Sequence, residues 1–237
     1  MSYLNTKPLV YGFEKGMMND KVELLFDYPA KVASMLLNDE IDVGLIPVAV
    51  LPKLKEHYLI SDHCIGASRA VASVCLFSDV PLHEIETILV DYQSRTSAAL
   101  LKILLRDHWK ISPQLIDTRN GYQQDIKGST AGLVIGDRAL KQRHQLTYIF
   151  DLAEAWIEMT GLPFVFAAWI ANKKLPESFI EAFNLATGAG LAHIDEIVAG
   201  IDFPDYDLKK YYEENIDYKL DDQKMNAIKK FVGLVQQ

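Results

Sequence analysis

Two stretches of this chain echo one another. "IDVGLIPVAVL" at 41–51 and "TAGLVIGDRAL" at 130–140 align without gaps, and each apolar run ends at a turn residue, Pro47 or Gly136. A second echo pairs "LNTKPL" at 4–9 with "SRTSAAL" at 94–100. Short continuous apolar runs between helical patterns are the signature of buried strands in α/β proteins. The echoes therefore predict an α/β chain of two lobes with similar plans, each offering a helix N-terminus and a strand end. Ligands of open α/β sheets bind beyond the carboxyl ends of strands, so the two lobes are expected to face a common cleft.

The remaining elements fit this plan, with largely parallel strands expected. "YPAKVASMLLNDE" reads as a helix with Pro29 in its first turn and Val32, Met35 and Leu36 on one face. "IETILVD" reads as a strand, and "SRTSAALLKILLRDHW" as a helix capped by Ser94 with a stripe of Leu100, Leu101, Leu104 and Leu105. "VCLFSDVP" and "PFVFAAWIANKKLP" are longer apolar runs that bracket the middle, and helices are expected from Ser178 onward. The second member of the helix echo follows a strand at 85–90. By the same plan a strand belongs ahead of Ser2, and without one the first sheet is expected to carry an unfilled slot or an exposed edge.

With 237 residues, 49% of them hydrophobic, the chain can build a substantial core. No run approaches the ~18 apolar residues of a membrane span. The opening residues show no basic start followed by a long apolar stretch. A cytoplasmic protein without a membrane partner is expected. The net charge of −8 argues against nucleic acid as the main partner, yet leaves room for a small anion held by local donors. Cys64 and Cys75 form no disulfide framework, and the six histidines are scattered. No metal or cofactor is expected. The sequence sets no oligomeric state.

Four groups of residues are candidates for chemistry. In "DYQSRTS", Ser94, Thr96 and Ser97 bring hydroxyls to a helix N-terminus and Arg95 adds a positive charge, a good setting for a carboxylate. The plainer reading is an ordinary serine cap beside a solvated arginine. In "LNT", the Asn5 amide donates and accepts at once and could hold a hydroxyl or water, with Thr6 beside it; both are also capping types. Pro47, Val48, Gly136 and Asp137 follow strand ends, where a cleft would be lined or an ordinary turn made. Ser68, Arg69 and Ser73 occupy a small-residue loop, with Arg69 a second carboxylate partner or a surface side chain. Trp156 reads as core.

"SYLNTKPL", "DVGLIPVAVL", "SVCLFSDVP", "DYQSRTSAALLKILL", "LVIGDRAL" and "TGLPFVFAAW" also occur in this order in a known family. Over residues 2–172 the chain resembles the chorismate dehydratases of the futalosine route to menaquinone. It departs from them at Arg69 and Ala70, where many members carry Gly-Pro, while Ser73 and Val74 keep the pattern. The resemblance implies a type-2 periplasmic-binding-protein-like fold in which "VCLFSDVP" and "PFVFAAW" are the two crossover strands. Lobe one would comprise 1–75 with 166–237 and lobe two 76–165. Members usually carry a short strand before "YLN". The resemblance further implies that Asn5 is central to the loss of water from chorismate, a dicarboxylate, with Thr6 donating to the ligand. The related synthase of 1,4-dihydroxy-6-naphthoate, which has a different opening motif, ranks second. A non-catalytic binding protein for a small carboxylate is the reading from another class. No motif supplies an evident His or Glu pair for acid–base work, which points to the substrate's own enolpyruvyl carboxylate as the base.

Overall fold

The computed structural model describes residues 3–237; Met1 and Ser2, the first residue of the opening motif, lie outside the described residues. The α-helices are α1 (Lys7–Glu14), α2 (Pro29–Leu37), α3 (Arg95–Ile103), α4 (Asp137–Gln142), α5 (Leu152–Thr160), α6 (Glu177–Gly188), α7 (Ile194–Ala199), α8 (Leu208–Lys210) and α9 (Asp222–Val235). The strands are β1 (Val43–Pro47), β2 (Tyr58–Ala67), β3 (Val74–Ser78), β4 (Thr87–Val90), β5 (Gln114–Asp117), β6 (Thr130–Ile135), β7 (Tyr148–Asp151), β8 (Phe164–Ala171) and β9 (Asp217–Lys219). They form two sheets, ordered β1-β8-β2-β9 and β5-β4-β6-β3-β7.

The strands are not largely parallel, as the sequence had suggested. Among the described residues only β4 with β5 and β4 with β6 run parallel, and the other pairings are antiparallel. Apart from β9, which pairs antiparallel with β2 at the sheet edge, the cause lies in β3 and β8. Each leaves one half of the molecule, enters the other half's sheet from the cleft side, and so runs against its neighbours. Both are buried at every residue, which explains why their sequences read as unbroken apolar runs.

Local sequence sets most helix ends. Ser94 caps α3 by accepting the Ser97 N–H at 3.1 Å. The expected stripe of Leu100, Leu101, Leu104 and Leu105 is buried, and the helix runs on through a wider turn over Leu104–Trp109. Asp151 caps α5 through the N–H groups of Ala153 and Glu154. The region from Ser178 is mainly helical, as expected, but also contributes β9 to the edge of the first sheet. Cys64 and Cys75 are buried and free. Among the described residues no helix is long and apolar enough to cross a membrane.

Trp156 of α5 belongs to the core. It is fully buried, packs edge-on against Phe164 of β8 and Phe231 of α9, and donates from Nε1 to the Pro163 carbonyl at 3.0 Å. It thus joins the second sheet's helices to the first sheet and to the C-terminal helix. Trp156→Ala is expected to lower stability by about 3–5 kcal/mol, through lost burial and the cavity left behind. A urea midpoint close to that of the parent chain would contradict this role.

Candidate active site

The opening turn is held from both sides of the cleft. Leu4–Thr6 forms a tight turn that leads into α1, with Leu4 buried beneath it. The Leu4 N–H donates to Asp137 Oδ1 at 2.9 Å, and the Tyr218 hydroxyl donates to the Asn5 carbonyl at 2.9 Å. The Tyr3 ring lies on Gly136, where an added Cβ would stand 2.4 Å from a ring carbon. Gly136 has φ +62° and ψ −145°, a conformation essentially limited to glycine. The turn after β6 is thus shaped to receive Tyr3.

Neither Asn5 nor Thr6 caps α1. Thr6 stands at the N-cap position, but its hydroxyl turns back to the Tyr3 carbonyl at 2.7 Å. The Asn5 side chain lines the cleft, and its Oδ1 is buried with no hydrogen-bond partner among the described residues. Leaving a buried amide oxygen unpaired costs about 1–3 kcal/mol, so this position calls for a ligand group that donates.

The N-terminus of α3 divides its side chains between two directions. Ser94 and Ser97, three residues apart and on one face, line the cleft; the Ser94 hydroxyl donates to Ser97 Oγ at 2.8 Å. Thr96 turns the other way, is buried, and accepts the Ala49 N–H at 3.2 Å. Arg95 donates to the Ser34 hydroxyl of α2 at 3.1 Å. Arg95 and Thr96 therefore fasten α3 to the first half of the molecule instead of facing the cavity.

Asn5, Thr6, Pro47, Ser73, Ser94, Ser97 and Gly136 all line one cavity of about 540 Å³. Val48, Ser68, Arg69, Arg95, Thr96 and Asp137 are not among its lining residues. Val48 is fully buried in the core. Ser68 donates to Asp217 Oδ2 at 2.5 Å, and Arg69 is exposed. Ser73 is buried, accepts from the Tyr211 hydroxyl at 2.7 Å, and receives the Gly136 N–H on its carbonyl at 2.7 Å. Burial pushes the Asp137 carboxyl up, while the Leu4 N–H and the Lys141 charge pull it down.

Sequence reasoning missed the support behind Tyr3. Its phenol donates to Gln93 Oε1, and burial pushes that phenol up to about 12. Arg138 donates to the same Gln93 oxygen at 2.9 Å and to the buried Asp91 carboxylate at 2.8 Å, which also accepts from Tyr122 at 2.7 Å. The only signal in the sequence was proximity: Tyr3, Asp91, Gln93 and Arg138 all sit inside or beside the echoed motifs. Among the described residues no group of three His, Cys, Asp or Glu side chains could hold a metal ion.

A family model described as "Menaquinone biosynthesis" matches residues 1–237. A chorismate dehydratase of Campylobacter jejuni is 28% identical over 235 residues, covering 97% of this chain and 89% of that protein. One from Thermus thermophilus is 28% identical over 194 residues, covering 73% and 71%. Among solved structures, protein AF1704 from Archaeoglobus fulgidus superposes with a TM-score of 0.73 at 14% identity, covering 99% of this chain and 94% of that one. The periplasmic aliphatic sulphonate binding protein SsuA from Escherichia coli superposes with a TM-score of 0.64 at 13% identity, covering 98% and 84%. These structural likenesses establish a periplasmic-binding-protein-like fold, and the match over the whole chain establishes that it belongs to the menaquinone biosynthesis family.

Proposed function

We propose that this chain is a chorismate dehydratase, a hydro-lyase that converts chorismate to 3-[(1-carboxyvinyl)oxy]benzoate and water. The observation that carries this reading is the unpartnered Oδ1 of Asn5, buried in a cleft walled by the hydroxyls of Ser94 and Ser97. The two similar proteins named chorismate dehydratase support it. The reading carries a cytoplasmic location with it.

The reaction breaks the C–O bond to the ring hydroxyl and removes an adjacent ring proton. The two electrons of that C–H bond enter the ring, which becomes aromatic, and the hydroxyl leaves as water. Aromatisation supplies the driving force, so the enzyme chiefly has to orient the dicarboxylate. One carboxylate is assigned to the N-terminus of α3, where the Ser97 hydroxyl donates and Ser94 holds it in place, and the other to the turn at Thr6. Asn5 accepts from the ring hydroxyl through Oδ1 and keeps it aligned for departure. The enolpyruvyl carboxylate of the substrate takes the ring proton and passes it to the departing hydroxyl, which therefore leaves as water. Lobe one, 1–75 with 166–237, closes on lobe two, 76–165, to exclude water and strengthen these contacts.

Asn5→Ala should lower kcat by roughly 10²–10³-fold, the range for losing one preorganised polar contact, while chorismate still binds. Turnover followed by formation of the new aromatic acid, with binding followed by calorimetry, separates the two effects. Glu23, Asp27, Glu40 and Asp42 also line the cavity. A comparable kcat loss on neutralising any one of them would overturn the substrate-as-base mechanism. Chorismate that disappears only at its uncatalysed rate, together with tight binding of another carboxylate, would favour a binding protein instead.

Gly136→Ala tests the seat of Tyr3. Its Cβ would meet the Tyr3 ring at 2.4 Å on a backbone unsuited to alanine. A loss of both melting temperature and turnover is expected, larger in turnover than Ser73→Ala produces. Unchanged kinetics would show that the site does not depend on this contact.

A further inference from the structure

The loops after β4 and β6 leave two neighbouring parallel strands at the same end of the second sheet. One carries Asp91 and Gln93, the other Gly136, Asp137 and Arg138. Arg138 joins the two loops. Its Nη2 donates to Asp91 Oδ2 at 2.8 Å and to Gln93 Oε1 at 2.9 Å. The Asp91 carboxylate is fully buried and the Arg138 side chain mostly so. None of Asp91, Gln93 and Arg138 lines the cavity, so any effect on a reaction there passes through other residues.

The cluster is expensive and exactingly built. Desolvating a buried ion pair offsets most of its attraction, so the pair adds little net stability. Arg138 Nη1 is in addition buried with no partner among the described residues. What the cluster does fix is the Gln93 amide. Asp91 Oδ1 accepts the Gln93 N–H at 2.8 Å, and Gln93 Nε2 donates to the Tyr92 hydroxyl at 2.8 Å. The Arg138 guanidinium lies over the Tyr92 ring, 5.6 Å from its centre. Only the amide oxygen can accept from a guanidinium, so Gln93 Oε1 is turned to Arg138, and the same oxygen accepts the Tyr3 phenol. Gln93 immediately precedes Ser94, the cap of α3, and Tyr3 immediately precedes the turn of Leu4–Thr6. One oxygen atom thus ties together the two segments that carry Ser97 and Asn5.

We propose that Arg138 and Asp91 are positioning residues for the reaction: through Gln93 and Tyr3 they set the distance between the N-terminus of α3 and the turn bearing Asn5 and Thr6, and so the span of diacid that is turned over. This role presupposes the dehydratase reading for its substrate, whereas the tie itself does not. A carboxylate is held only at hydrogen-bond distance, and misplacing a reacting group by about 1 Å can lower a rate by about 100-fold. A rigid spacer outside the cavity fixes that distance without placing a further charge beside the anionic substrate.

Removing Arg138 alone would leave Asp91 buried and unpaired, so the first test variant neutralises both, Asp91→Asn with Arg138→Met. Its kcat on chorismate should fall about 10–100-fold while KM changes by less than about threefold, because each carboxylate seat survives and only their alignment is lost. Gln93→Met, which leaves the ion pair intact, should lose kcat in the same range with Tm within about 5 °C of the parent; it carries the test if the first variant does not fold. In a Tyr3→Phe background, which keeps the ring on Gly136, either change should cost less than about threefold more, since the path to Asn5 is already cut. A merely structural role would instead give losses that add in full. A readout without substrate is amide exchange at Leu4, whose N–H faces Asp137. It should quicken about tenfold in Gln93→Met while Leu76 of β3 keeps its protection. Unchanged turnover, fully additive losses or unchanged Leu4 exchange overturns the proposal. A parent chain that leaves chorismate to its uncatalysed rate refutes the dehydratase reading instead, and Leu4 exchange then decides the tie by itself.

Discussion

The bond from the Leu4 N–H to the Asp137 carboxylate is where the two halves of this molecule define the cleft. A turn of three residues has little stability of its own. Here it is fixed by partners far away in sequence: Asp137 from the second half, Tyr218 from β9, and the Gly136 backbone against which Tyr3 lies. Because these contacts hold the turn, Asn5 and Thr6 need not cap α1. The Asn5 amide is thereby left facing the cleft. Asp137 acts at one remove, placing the residue that faces the cleft.

The candidate residues that line the cleft carry no charge. Ser73, Ser94 and Ser97 line it, while Arg95 is engaged with Ser34 and Arg69 is exposed elsewhere. Hydroxyls and N–H groups at helix N-termini can bind carboxylates without a buried arginine, because the peptide dipoles are already aligned there. One cavity runs from the candidate site along β1, so the edge of the first sheet and the candidate residues share one space. Val32 and Met35, expected to pack as the apolar face of α2, line that space instead, and only Leu36 of the three is fully buried.

Much of the fold was legible in the sequence. The echoes at 41–51 and 130–140 mark β1 and β6, and their turns at Pro47 and Gly136 reach the cavity. Ser94 is the cap it was read to be, because capping is a local interaction between residues three apart. The direction of β3 and β8 was not legible. Apolar content reports burial, whereas strand direction depends on which sheet a crossover enters. The candidate site divides along the same line. Seven of the thirteen candidate residues meet in one cavity, all beside strand ends or helix starts. Thr96 and Arg95 stand in the same helix turn as Ser97 yet point to the other half.

The sequence by itself determined the alternation of strands and helices, the turns that bring chain segments to the cleft, and the residue types available there. Those are consequences of short-range geometry: backbone propensity, periodicity and capping. Tertiary structure alone decided that Asn5 lines the cavity with its oxygen unpaired among the described residues, and that Tyr3 rests on Gly136. Each of these depends on a neighbour dozens of residues away in the chain. A side chain's role is set by what surrounds it, and no local pattern encodes that.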